Sequence, residues 1–259
     1  MRACGSIVIS GLENCKLDFE KEIKVNAYRE ILVGAKLKPA DGGEIKLSLE
    51  FMYTDDKVKN GYELRDIIYE IARQIVYQFL DKQIDIFNIS FSEPSISYLG
   101  GSKVIAVGFK EITSINDESV KTDINDLEIS IENYDEKKLL MVSQLEEKSQ
   151  VLRYTNLYER LKNVCGGNQI AVTNKIRDRF SDEYNIKCDN ENIDVEYAEK
   201  HRRAKYQDDF TYLRTMIAHG GNGNYSDEIY SRLRRDTIKI VKVLNILNIL
   251  EKEQESEDD

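Results

Sequence analysis

The spacing of apolar residues changes near residue 140, and that change divides the chain in two. Upstream, Ile- and Val-rich runs at 6–10, 24–36, 44–53, 85–91, 95–99, 103–109 and 127–132 predict strands, because β-branched side chains pack well on a pleated surface. Gly42-Gly43 and Gly100-Gly101 supply turns between them. One helix interrupts the series over 62–81, where Leu64, Ile67, Ile68, Ile71, Ile75, Phe79 and Leu80 recur every three or four positions. Such a stripe predicts a helix covering one face of a sheet. The polar, acidic stretch 113–126 reads as an exposed loop.

Downstream the period is helical. Tyr154, Leu157, Tyr158, Leu161 and Val164 form one stripe of a helix over 145–164, which Gly166-Gly167 is placed to cap. A second helix is predicted over 169–180, and the polar stretch 181–194 leads to a third, striped by Tyr206, Phe210, Leu213 and Ile217. A fourth runs over about 226–250, with Asp227 and Glu228 in its first turn, where acidic groups favour a helix start. The fold class expected is α+β: an N-terminal domain over 1–139 with a mixed or antiparallel sheet and one main helix, then an all-α bundle over 140–250. Residues 251–259 hold almost nothing that a core could bury and are expected to be a disordered acidic tail.

With 259 residues, such a chain can bury a sizeable core without disulfides or structural metals. No apolar run approaches the roughly 20 residues of a membrane-spanning helix, and the first residues lack a secretory apolar segment, so a cytoplasmic protein with no membrane partner is expected. Cys4, Cys15, Cys165 and Cys188 are then expected as thiols, and no pair has the spacing of a zinc or thioredoxin motif. No sequence pattern calls for a metal or any other cofactor.

Charge is unevenly distributed. The net value of −10 separates into −10 over 1–199, +5 over 200–244 and −5 over 251–259. An acidic total argues against non-specific coating of nucleic acid, since phosphate binding is carried by local clusters of Lys and Arg. Lys200, Arg202, Arg203 and Lys205, followed by Arg232 and Arg235, form the one stretch suited to a polyanion; a solvated basic face is the plain alternative.

Histidine is scarce, with His201 and His219 only, so acid–base chemistry near neutral pH must begin there. His219 ends the third predicted helix and precedes Gly220-Gly221-Asn222-Gly223-Asn224, while Arg214 stands five positions earlier. The glycine-rich stretch lacks a Gly-Lys-Ser/Thr ending and reads as a loop reversing the chain. At about 100° per residue, Arg214 flanks the buried stripe and His219 leaves on another side. The two can meet on one ligand if the helix end unwinds at Gly220, or if two copies meet across a two-fold axis.

Leu213-Arg214-Thr215-Met216-Ile217-Ala218-His219-Gly220 resembles the signature of HEPN domains, helical bundles marked by Arg and His with four to six residues between them. The Ile-Ala-His-Gly ending is most similar to the Apea-like branch, and Asn156-Leu157-Tyr158-Glu159-Arg160-Leu161 sits where that branch has its first bundle helix. Thr215 stands where the family commonly has Asn, Asp or His. The resemblance covers about 140–250. It implies a metal-independent endoribonuclease, active as a homodimer, in antiviral defence or a toxin-like stress response. Arg214 and His219 would be the catalytic residues, with Lys200, Arg202, Arg203, Lys205, Arg232 and Arg235 binding RNA. The N-terminal domain would answer to a regulatory protein or a phage-derived trigger. Other family members do not cleave and serve as dimerisation or binding modules, which is the alternative the resemblance carries.

Overall fold

A computed structural model describes residues 2–26, 30–53, 61–99, 121–131, 136–189, 207–219 and 225–257. The expected turn at Gly100-Gly101, the strand at 103–109 and the basic stretch from Lys200 to Lys205 lie outside them. The fold is α+β and divides into one unit over Met1–Glu146 and a second over Glu147–Asp259.

The first unit is built on an antiparallel sheet. Its long strands are β1 (Arg2–Ser10), β5 (Leu32–Pro39) and β6 (Ile45–Met52); the short ones preceding β5 are β2 (Cys15–Lys16), β3 (Lys21–Glu22) and β4 (Lys24–Val25). Hydrogen-bonded order is β3-β5-β6-β1, and the free edge of β1 takes β7 (Ser90–Phe91) and β8 (Ser95–Leu99) one after the other. Between those two, Ser92 keeps contact with β1 by donating its N–H to the Val8 carbonyl and accepting the Val8 N–H on its hydroxyl. Strand alternation puts Ala3, Ile7, Ile9, Leu37, Ile45, Leu47, Leu49 and Phe51 in the core.

Helix α1 (Gly61–Asp81) packs on β1 with every residue of its expected stripe buried. Gly5 sets the approach, since a Cβ there would lie 2.6 Å from the Ile68 Cδ1 and 3.1 Å from Phe51. Helix and sheet meet where the strand has no side chain. On another side α1 receives α2 (Glu136–Leu145), and the Arg73 guanidinium grips the Glu146 carboxylate with two bonds of 2.6 and 3.0 Å.

Three expectations for this unit need correction. The run 24–36 is two strands, because Glu30 takes a left-handed φ of 52° and the chain turns before Leu32. Of 85–91 only the last two residues pair; Ile86 and Ile89 are buried from irregular chain, whose polar groups are met by Asn14 on the Asp85 carbonyl and by the Leu145 carbonyl on the Ile89 N–H. Of the loop predicted over 113–126, residues 113–120 lie outside the described residues and the remainder contains a short strand, β9 (Thr122–Asp123), parallel to β2, while β10 (Ser130–Ile131) lies parallel to β4.

The second unit contains four helices among the described residues: α3 (Gln150–Val164), α4 (Gln169–Arg179), α5 (Asp209–His219) and α6 (Asp227–Glu257). Strands β11 (Cys188–Asp189) and β12 (Gln207–Asp208) pair just before α5. Helix α3 starts at Gln150 rather than 145, since Ser149 accepts the Leu152 N–H as its cap and Arg153 folds back onto the Glu147 carbonyl. The expected glycine stop is present: Gly166 and Gly167 both have positive φ, and the Gly167 N–H returns to the Lys162 carbonyl. At the other end α6 continues to Glu257, where a disordered tail is expected from 251. Nothing in Glu251–Glu257 breaks a helix, and Glu, Lys and Gln are good helix formers. Among the described residues no helix is long and apolar enough to cross a membrane.

Candidate functional site

Helix α5 is fixed at its start by a buried acid. Asp208 is fully buried; one carboxylate oxygen accepts the N–H groups of Phe210 and Thr211, both at 3.0 Å, and the other accepts the Thr173 hydroxyl of α4 at 2.6 Å. Burial pushes this carboxyl above the usual carboxylate range, and the three donors oppose that shift. Two tyrosines of α3 complete the anchor: Tyr154 donates to the Phe210 carbonyl at 2.8 Å, and the Tyr158 hydroxyl meets that of Thr211 at 2.9 Å. With Phe210, Leu213 and Ile217 buried, the helix has a fixed rotation about its axis.

That rotation decides where the motif residues go. Arg214 is half-buried and reaches α3, where its guanidinium lies 3.6 Å from the Glu159 carboxylate; Glu159 also pairs with Lys162. The Arg214 Nε is buried with no hydrogen-bond partner among the described residues. Thr215 is turned inward on its own helix, donating to the Thr211 carbonyl at 2.9 Å and accepting from Gln207 at 3.3 Å. Its hydroxyl is therefore committed to the backbone.

His219 is the last residue of α5, exposed and without a hydrogen-bond partner among the described residues. Because the helix is intact up to it, Arg214 and His219 point about 140° apart. One chain thus presents both groups without bringing them together. Past the glycine-rich stretch, the Tyr225 hydroxyl donates to the Ile217 carbonyl at 3.1 Å, satisfying an acceptor in the final turn of α5 and tying the start of α6 to it.

Of the basic residues expected to bind RNA, Lys200, Arg202, Arg203 and Lys205 lie outside the described residues. Arg232 lies 3.5 Å from Asp209 and is stacked over the Tyr212 ring at 5.2 Å. Arg235 keeps half of its side chain in solvent while its Nε donates to Asp236 at 2.8 Å. Asp236 is fully buried, and burial raises its carboxyl above the usual range against the pull of Arg235.

Sequence reasoning missed Glu159, Asp208 and Asp236. Asp208 carries a readable signal, an acid just before an apolar helical stripe. Glu159 and Asp236 carry none, since their roles depend on which helices meet. Among the described residues no three His, Cys, Asp or Glu side chains group as metal ligands do. No family model, curated protein or solved structure matches the chain.

Proposed function

We propose that the second unit is a HEPN-type bundle and that the chain is a metal-independent endoribonuclease active as a homodimer. The observation that carries this reading is the placement of Arg214 and His219: a partly exposed cation and an exposed imidazole on the last turns of a helix anchored by buried polar contacts. Their divergence makes a single chain an incomplete site, and a second copy supplies the missing pair.

In the reaction, the 2′-oxygen of one nucleotide attacks the adjacent phosphorus as its proton passes to an imidazole. The bond from phosphorus to the 5′-oxygen then breaks, and that oxygen takes a proton from the second imidazole of the dimer. Products are a 2′,3′-cyclic phosphate and a 5′-hydroxyl. His219 carries the protons. Arg214 turns its planar fork toward the phosphate as negative charge gathers there. Lys200, Arg202, Arg203, Lys205, Arg232 and Arg235 guide the polyanion, and the setting is antiviral defence or a toxin-like stress response. The first unit responds to a regulatory protein or a phage-derived trigger.

A second reading, a non-catalytic dimerisation and binding module, is favoured by one contact: the Arg214–Glu159 pair engages the cation that catalysis would use. Incubating the full chain with single-stranded RNA in EDTA separates the two readings. The nuclease reading expects cleavage that is lost in folded His219→Ala and Arg214→Ala proteins. The module reading expects intact RNA and unchanged self-association in all three.

A further inference from the structure

The sheet of the first unit buries one face under α1 and leaves the other open as a groove of about 720 Å³, a volume suited to a small molecule. Strand register sets Ser95, Ser6 and Ser48 side by side across β8, β1 and β6 on this open face, with Lys36 of β5 next in the row. None of the three hydroxyls has a hydrogen-bond partner among the described residues. Ser6 and Ser48 stand on interior strands, held by the ladder beneath them, so these two donors are positioned before any ligand arrives.

Two residues along β6 from Ser48 is Lys46, directly opposite Lys38 of β5. Like charges facing each other across a ladder destabilise it. Lys38 is neutralised by Glu20 at 2.7 Å, and the same carboxylate holds Lys36 at 2.9 Å. Lys46 lines the groove with no acidic partner among the described residues. Its charge and the neighbouring hydroxyls are unmet groups at one end of this face, with the Glu50 carboxylate, unpaired among the described residues, further along, and the Lys46 end calls for an anion with several acceptor oxygens. Among the described residues no aromatic side chain lines the groove, so none of them stacks on a base or sugar ring. Glu50 lies on the same face, beyond Ser48 from Lys46, and disfavours a second anionic group at that end.

We infer that this groove binds a small molecule carrying a phosphoryl group at one end. Lys46 neutralises the phosphate, Ser48 and Ser6 donate to its oxygens, and the rest of the ligand lies along the row of serines. The site lies wholly within the first unit, so it stands or falls independently of the ribonuclease reading.

The test is thermal unfolding of the full chain titrated with inorganic phosphate, against sodium chloride at equal ionic strength. A ligand that binds the native state raises the midpoint with its concentration. The expected result is a phosphate-specific rise that Lys46→Ala and the double variant Ser6→Ala/Ser48→Ala each shift to at least about tenfold higher phosphate, the loss of one good interaction. Lys24→Ala, an exposed lysine outside the groove, should leave the rise unchanged. Absence of a phosphate-specific rise, or an equal rise in Lys46→Ala, would overturn the assignment.

Discussion

The Arg214 guanidinium on α5 lies 3.6 Å from the Glu159 carboxylate on α3, so the proposed phosphate-binding cation already has an anionic neighbour. Both side chains keep contact with solvent, at 25% and 39% exposure, and a partly exposed pair at this distance is worth about 0–1 kcal/mol. Such a partner can be exchanged for a phosphate. Glu159→Gln should therefore lower stability in urea by less than about 1 kcal/mol. It should also tighten binding of an RNA analogue lacking the reactive 2′-hydroxyl, measured by fluorescence anisotropy. Weaker binding would show that Glu159 aids Arg214 rather than competing for it.

Asp208 ties together the start of α5, α4 and the β11–β12 pair, and its removal should be costly. Asp208→Ala deletes a helix cap, worth about 1–2 kcal/mol, and leaves the Thr173 hydroxyl unsatisfied in the interior, at about 1–3 kcal/mol. A loss of roughly 2–5 kcal/mol in urea unfolding is expected from these two contributions. Thr173→Val should cost less, because the cap survives. Equal losses would mean that the buried hydroxyl bond, not the cap, anchors the helix.

Asp236 should make stability depend on pH in the direction opposite to a surface-paired acid. Burial raises its carboxyl in the folded protein, so the native state holds a proton that the unfolded chain releases. Its contribution is most favourable at acid pH and falls as pH rises through the raised value. Asp236→Asn, which keeps shape and an acceptor for Arg235, should stabilise the protein at pH 7. The gain should fade below about pH 4, where both folded and unfolded acids are protonated. Urea unfolding at the two pH values checks this; a gain independent of pH would assign the effect to packing.

Periodic segments were legible in the sequence and segments held by distant contacts were not. The α1 stripe from Leu64 to Leu80 is fully buried because a three-to-four spacing has one structural solution against a sheet. The run 24–36 misleads because Ile31 and Leu32 continue an apolar pattern across a turn at Glu30. Ile86 and Ile89 look like strand residues because burial alone, without pairing, selects the same side chains. At the candidate site, the stripe of Phe210, Leu213 and Ile217 and the divergence of Arg214 from His219 follow from helix geometry. The Asp208–Thr173 bond joins residues 35 apart, and the Glu159–Arg214 pair joins two helices whose packing no local pattern encodes.

In the proposed reaction, His219 and Arg214 promote attack by the RNA's own 2′-oxygen. Its most direct test is the chemistry of the cut ends, read on RNA and on the same strand with one 2′-deoxy nucleotide at the cleavage position, both in EDTA. The expected products from RNA are a 2′,3′-cyclic phosphate and a 5′-hydroxyl, with no cut at the deoxy position and no product from His219→Ala. Cleavage at the deoxy position, or products ending in a 5′-phosphate and 3′-hydroxyl, would contradict this reaction.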